Sequence, residues 1–161
     1  GMRADDERIP HSFEIADAAG LSYSFGLANL TSAHPNSVVL EVKGKSGRTL
    51  EVQACSLGGG RIMINRLDGL DVNCTCEIPT LIVHNLDQPG HVAEVTSMLA
   101  HKSVNIANMS LYRDKRGGSA VMVVEMDQPL SKESLQWLEH LEGIVKVTYI
   151  NVTEGEEDNV L

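Results

Sequence analysis

Aromatic side chains make up only 4% of the 161 residues, so the core must be built mainly from aliphatic side chains and methionine. No apolar run approaches the roughly 20 residues that a membrane-spanning helix needs, and no secretory leader is recognisable. Basic residues are few as well: 13 Lys and Arg against 22 Asp and Glu give a net charge of −9, which argues against a nucleic-acid-binding surface. We therefore expect a cytoplasmic protein that binds neither membranes nor nucleic acids.

Cysteine is also rare, with three residues at positions 55, 74 and 76, which cannot all pair with one another and fit a reducing compartment. A structural zinc or iron–sulfur site commonly uses four ligands. Cys74 and Cys76 instead lie in an alternating run that directs both to one strand face with Val72. No HExxH or other helix-spaced histidine pair occurs. We interpret the cysteines as small buried hydrophobic residues and expect this chain to bind no metal or cofactor.

The first part of the chain, residues 1–77, begins with one predicted helix and continues with strands. Residues 3–19 predict the helix, with Ile9 and Phe13 one turn apart and Gly20 at its end. Four strand-like runs follow, at 38–42, 49–55, 61–65 and 70–76. The KGKSG segment between the first two is a hairpin turn signal. This pattern is typical of an α+β fold with a mostly antiparallel sheet.

The second part, residues 78–152, has a strand–helix–strand–strand–helix–strand order. The strands are predicted at 80–84, 104–112, 119–126 and 144–151, and the helices at 91–101 and from a Ser131 cap to Gly143. Such a βαββαβ order is the ferredoxin-like motif, in which helices cover one face of the sheet. We expect the other face to pack against a partner sheet or domain through four apolar residues: Met109, Leu111, Val121 and Val123. Residues 153–161 form an acidic tail that we expect to be disordered.

The turn between the first strand and first helix of this second part carries the most informative chemistry. It reads NLDQPG, residues 85–90, with Pro89 and Gly90 where a helix begins and Asp87 as the predicted N-cap. A helix start has backbone N–H groups without partners and partial positive charge, so it can hold a carboxylate. Asn85 and Asp87 can hold an ammonium group beside it. The turn therefore predicts a site for a free amino acid, although an ordinary turn and cap would use the same residues.

A second candidate site combines the HPN segment with the SLGGGR segment. The glycines match neither a dinucleotide-binding motif nor a P-loop, so we do not expect nucleotide binding. Such glycines let the backbone approach a ligand closely, and neighbouring cationic side chains would then hold a small anion. The alternative, which we favour, is a bulge or a tight strand connection. The residues of this candidate anion site are His34, Asn36, Gly58, Gly59, Gly60 and Arg61, with Arg66 nearby.

Residues 80–150, which contain HNLDQPGHVAEVTSMLAHKSVNIANMSL and GGSAVMVVEMDQPL, resemble an ACT domain, the regulatory module that senses amino acids. The segments HPNSVVLEV, SLGGGRIMINRLDGLDV and PTLIVHNLDQPG follow one another as in the β subunit of the bacterial iron–sulfur-dependent L-serine dehydratase, an L-serine ammonia-lyase. The resemblance covers nearly the whole chain. Residues 1–77 are then similar to part of that subunit's allosteric-substrate-binding lobe. The family's GPSSSHT segment does not occur here.

The resemblance implies the regulatory β portion of a holoenzyme that converts L-serine to pyruvate and ammonia. It implies an oxygen-sensitive 4Fe–4S cluster on a catalytic α partner, and a homodimer formed through the ACT domains. It does not imply catalysis by this chain alone, and no catalytic residue is predicted. The alternative is a free-standing amino-acid-binding module that controls another metabolic enzyme or a transcription factor.

In ACT domains that sense serine, the turn before the first helix and an asparagine from the other protomer hold the ligand. By position from Pro89-Gly90, the matching residues here are Asn85, Asp87 and Asn105. The backbone of the helix start would bind the carboxylate, Asp87 the ammonium group, and the two asparagines the remaining polar atoms. The complete predicted effector site consists of Asn85, Leu86, Asp87, Gly90, His91, Val92, Asn105 and Ile106.

Overall fold

The computed structural model describes residue 2 and residues 6–30 and 33–151. Its elements are a 3-10 turn (Ile9–His11), α1 (Ser12–Ala18), β1 (Ser37–Lys43), β2 (Thr49–Gly58), β3 (Arg61–Leu67), β4 (Leu70–Cys74), β5 (Thr80–Leu86), α2 (His91–His101), β6 (Ile106–Arg113), β7 (Ser119–Met126), α3 (Lys132–Glu139) and β8 (Ile144–Ile150). The predicted acidic tail lies outside the described residues. None of the helices in the described ranges is long and apolar enough to cross a membrane.

The first sheet is an antiparallel meander of four strands in the order β1-β2-β3-β4. Its first hairpin closes where predicted, with the Gly44 N–H donating to the Arg48 carbonyl over 2.8 Å. β2 runs three residues beyond its predicted end, because its last residues pair with the start of β3. This sheet confirms the antiparallel arrangement that the alternating runs indicated.

The second sheet has four strands in the order β6-β7-β5-β8, and every neighbouring pair is antiparallel. Val95, Met98 and Leu99 of α2 pack with Leu135 and Leu138 of α3 in a core on one face of the sheet. Burying one such side chain completely stabilises the fold by about 1.5–3 kcal/mol. The βαββαβ order and the apolar face predicted for α2 are confirmed, and the chain has the expected α+β fold.

The opposite face of the second sheet packs against the first sheet. Ile82 of β5 and Val121 and Val123 of β7 share a buried core with residues of the first part of the chain: Ala54, Ile64, Leu67, Val72, Cys74 and Cys76. The three cysteines are free and buried, which confirms their interpretation as small hydrophobic residues. The partner expected for this face is thus supplied by the chain itself.

Met109 and Leu111 do not share that face, so the prediction that grouped them with Val121 and Val123 is wrong. They pair with Val124 and Met122, whose side chains belong to the helix-side core. They lie on an outer strand of the sheet and are 38% and 51% exposed. Side chains alternate along a strand, so the strand register decides which face each residue occupies.

Several predicted element boundaries also need correction. Residues 3–5 of the helix predicted at 3–19 lie outside the described residues. In the described part Pro10 lies in the first positions of a 3-10 turn, and α1 follows only from Ser12. Its apolar residues are not buried. β5 continues through Leu86, because Asn85 and Leu86 still pair with β7. α3 begins at the predicted Ser131 cap but ends at Glu139, before Gly143.

Candidate functional site

The predicted effector turn lies where β5 ends and α2 begins. Asn85 and Leu86 belong to the strand, so the turn itself is shorter than predicted. Gly90 is the N-cap of α2, with φ at 110°, and no side chain caps the helix. The prediction that Asp87 is the cap is therefore wrong. Because no side-chain oxygen accepts from the first turn of α2, its N–H groups keep their capacity to bind an anion.

Asp87 is instead tied to the β6–β7 hairpin. Its Oδ2 atom accepts hydrogen bonds from the Gly117 N–H over 2.9 Å and from Arg113 Nη1 over 3.1 Å. Its own N–H donates to the Gly118 carbonyl over 2.9 Å. The Gly117 N–H and, to a smaller extent, the Arg113 guanidinium hold the pKa of Asp87 below its usual value. The carboxylate is therefore ionised and already has one positively charged partner.

Asn85 lies beneath this turn and is 5% exposed. Its Nδ2 donates to the Leu86 carbonyl over 2.6 Å, and its Oδ1 is buried without a hydrogen-bond partner. Leaving such a buried acceptor unsatisfied costs about 1–3 kcal/mol. Buried polar atoms normally find a protein, water or ligand partner, so an unsatisfied one calls for an explanation. An N–H donor from a bound ligand would satisfy Asn85 Oδ1.

His91 opens α2 and is 7% exposed. Its Nδ1 lies 3.4 Å from Glu94 Oε2, and its Nε2 is buried without a partner. Gly143 packs against the imidazole: a Cβ added there would lie 2.5 Å from Cε1 of His91. The start of α2 thus contributes one unsatisfied buried polar atom, and the end of β5 contributes two, Asn85 Oδ1 and His84 Nε2.

Asn105 and Ile106 are not brought to this turn within one chain. Ile106 pairs with Met126, at the opposite end of the sheet from the Leu86–Ser119 pair. The Asn105 side chain donates to Asp127 Oδ2 over 2.5 Å, and its backbone N–H donates to Gln128. Since β6 is an outer strand, Asn105 can serve this site only in a second copy of the chain.

The second candidate site is a tight hairpin. Gly58, at the end of β2, and the two glycines that connect it to β3 all have positive φ, from 61° to 84°, and the register shifts between Ser56 and Gly58. The connection and bulge that we favoured are therefore present. Asn36 is brought beside this end, because its carbonyl accepts from the Ser56 N–H over 3.0 Å. Arg61 pairs with Glu77 over 2.8 Å, which offsets its charge, so anion binding here stays a prediction.

Polar contacts that the sequence did not indicate join the two sheets just behind the effector turn. Lys146 of β8 donates to Asp68 Oδ2 and to the Thr49 carbonyl. His84, the residue before Asn85, lies 3.5 Å from the same carboxylate. Burial lowers the pKa of His84. Burial by itself would raise the pKa of Asp68, but the hydrogen bonds from Lys146 and the Glu51 N–H outweigh it, so that the pKa of Asp68 is lowered.

Trp137 of α3 is 46% exposed. It lines a groove of about 610 Å³ between α2 and α3, together with Met98 and the polar residues of both helices.

The described residues do not fit an iron–sulfur cluster. Within them, no three His, Cys, Asp or Glu side chains are close enough to share a metal ion. The Sγ atoms of Cys74 and Cys76 are 3.7 Å apart, and this contact together with burial raises the pKa of Cys74, which stays protonated. Such clusters are typically held by four thiolates, and the chain has three cysteines.

Comparisons with known proteins agree with the fold. The model of the ACT domain family matches residues 79–136. The chain is 33% identical over 145 residues to the probable L-serine dehydratase β chain of Bacillus subtilis, covering 90% of this chain and 66% of that one. It is 31% identical over 153 residues to the L-serine dehydratase β chain of Peptoniphilus asaccharolyticus, covering 94% and 69%.

The chain also has a shorter match to D-3-phosphoglycerate dehydrogenase of Methanocaldococcus jannaschii. The two are 29% identical over 90 residues, which cover 56% of this chain and 17% of that enzyme. The two β chains match along nearly the whole sequence, and the chain spans about two thirds of their length. This chain therefore belongs to the family of L-serine dehydratase β chains and contains an ACT domain.

Proposed function

We propose that this chain is the regulatory β portion of a cytoplasmic L-serine dehydratase and that it binds a small amino acid, L-serine, at the turn between β5 and α2. The observation that carries the proposal is the buried, unsatisfied Oδ1 of Asn85 beside the uncapped start of α2. A free amino acid has an ammonium donor next to a carboxylate, so it complements both features.

The positions of the ligand's groups follow from this complementarity. The carboxylate would accept from the N–H groups at the start of α2, around Gly90, His91 and Val92. The ammonium group would lie between Asn85 Oδ1 and the Asp87 carboxylate. The small turn favours a small side chain, and the serine hydroxyl would bind the remaining polar atoms. We expect an affinity in the millimolar range.

A second copy of the chain would complete the site. β6 is an outer strand with unpaired backbone groups, and exposed Met109 and Leu111 lie on it. The two ends of β6 are about 25 Å apart in one chain. Antiparallel pairing of two β6 strands about a two-fold axis would place the start of one beside the end of the other. Asn105 of the partner subunit would then lie near this chain's Arg113 and Asp87.

The relatives are named β chains, which supports an α partner that performs the reaction. A 4Fe–4S cluster on that partner would supply the Lewis acid for eliminating water from L-serine. Serine bound to this chain would bias the assembly through its different affinities for two states.

The match to phosphoglycerate dehydrogenases keeps a second candidate open, a module that regulates another enzyme. Co-purification with a cysteine-rich α chain separates the two.

Calorimetric titration with L-serine tests the site. We expect Asn85→Ala to weaken binding by about tenfold or more, because it removes an acceptor for a charged donor. Asn73→Ala is the matched control, since Asn73 is exposed on β4, and it should leave the affinity unchanged. Equal affinities of the parent and Asn85→Ala would refute the site.

A further inference from the structure

The hairpin contact of Asp87 bears directly on how strongly the turn can bind an ammonium group. Both hydrogen bonds from the hairpin reach the same oxygen, Oδ2. Among the described residues, no hydrogen bond reaches Oδ1. The carboxylate is therefore held through Oδ2, while Oδ1 makes no bond to the hairpin. The Arg113 guanidinium, 3.1 Å from Oδ2, compensates the negative charge of the carboxylate.

This cationic neighbourhood is unusual for a chain whose net charge is −9. The hairpin segment RDKRGG contributes Arg113, Lys115 and Arg116 within four residues. Arg113 is the cation that bonds Asp87, and Arg116 acts on it from a longer range. A ligand ammonium at Asp87 would thus lie close to a fixed positive charge, and like charges a few ångströms apart repel measurably even near water.

The orientation of Asp87 does not depend on Arg113. The Gly117 N–H binds the same oxygen, and the Asp87 backbone is anchored separately to Gly118. Removing the Arg113 guanidinium would therefore leave the Asp87 carboxylate in place, and the carboxylate's negative charge would no longer be compensated. An exposed ion pair of this kind contributes little to folding, and Arg113 is 56% exposed, so stability should hardly change.

We propose that Arg113 is an intramolecular counter-ion that competes with the effector's ammonium group for Asp87 and so keeps the affinity of the site low. Arg113 then lowers the affinity of the site without positioning Asp87, which Gly117 and Gly118 hold. The inference rests on the proposed function, since it presupposes that an amino acid binds at this turn.

Titration of the full chain with L-serine tests the competition. Arg113→Gln should bind serine roughly three- to tenfold more tightly than the parent, because the Asp87 carboxylate is then no longer paired with a competing cation. Arg116→Gln changes the net charge equally without breaking a bond to Asp87, and it should have a smaller effect. Asp87→Asn should weaken binding by about tenfold, and Arg113→Gln should add nothing in that background.

The outcomes distinguish this inference from the proposed function. If no variant binds serine, the proposed function itself fails. If the parent binds and Arg113→Gln binds equally or more weakly, the competition is refuted while the site stands. Equal tightening by Arg113→Gln and Arg116→Gln would also refute it, because only net charge would then matter. Arg113→Lys, which keeps a cation, should remain close to the parent and shows that the substitution itself is tolerated.

Discussion

At the scale of single residues, the position of the His91 imidazole depends on Gly143. Gly143 has φ of +80°, and a Cβ there would lie 2.5 Å from Cε1 and 2.6 Å from Nε2 of His91. We expect Gly143→Ala to lower the free energy of unfolding by about 2–4 kcal/mol, from backbone strain plus overpacking. Gly47→Ala is the control, with φ of +85° and no atom within 4 Å, and should cost about 1 kcal/mol. Urea unfolding of both variants measures the difference, and equal losses would show that the ring is not held by Gly143.

The individual residues of the candidate site were predictable to different degrees. Asn85 and Asp87 could be named because they are two positions apart at the end of β5 and the start of the turn, so their chemistry is local. The hydrogen-bond partners of Asp87 could not be named from the sequence, since Arg113 and Gly117 come from a hairpin 26 and 30 residues further along the chain. Such contacts depend on which strands pair, and the turn sequence alone does not specify that. The same gap explains why Asp87 was wrongly predicted to cap α2.

At the scale of secondary-structure elements, hydrophobic periodicity predicted strands and helices better than it predicted their faces. β7 has the predicted bounds, Ser119–Met126. In β6, however, the register shifts between Ile106 and Asn108, and a slip of one residue reverses the face of every following side chain. This is why Met109 and Leu111 were assigned to the wrong face. Pairing with β7 also extended β5 beyond its apolar run.

The contact between the two sheets should make stability depend on pH through Asp68. Its pKa is lowered from 3.8, so its stabilising contribution is present above that pH and is lost as pH falls through the lower folded value. We expect Asp68→Asn to be less stable than the parent at pH 7, with the gap closing as the pH falls below 3.8. Asparagine tolerates the positive φ of this position, so the change adds little backbone strain.

Asp71→Asn provides the control for this pH dependence. The Asp71 side chain is 94% exposed and lies 3.7 Å from Arg66, so its replacement should change stability little at either pH. Chemical denaturation at pH 7 and pH 3 measures both variants. A gap between the parent and Asp68→Asn that is as large at pH 3 as at pH 7 would contradict an ionic contribution from Asp68.

At the scale of the whole molecule, the chain packs two antiparallel sheets face to face and leaves β6 at an outer edge. The effector turn and the polar contacts of His84 and Asp68 lie at one end of β5. A ligand at the turn would therefore act close to the junction between the sheets. The overall α+β fold was predictable from the order of strands and helices. The packing of the first sheet on the second was not, because it depends on contacts between distant segments.

The most direct test of a shared amino-acid site is complementation between two defective chains. Asn85→Ala and Asn105→Ala should each weaken serine binding by about tenfold or more, so that little binding remains in equilibrium dialysis at a serine concentration near the parent's Kd. After the two variants are mixed and allowed to exchange subunits, half of the dimers are mixed, and each contains one site in which both asparagines are intact. We predict recovery of about a quarter of the parent's binding capacity. No recovery despite proven subunit exchange would contradict a site shared between two copies.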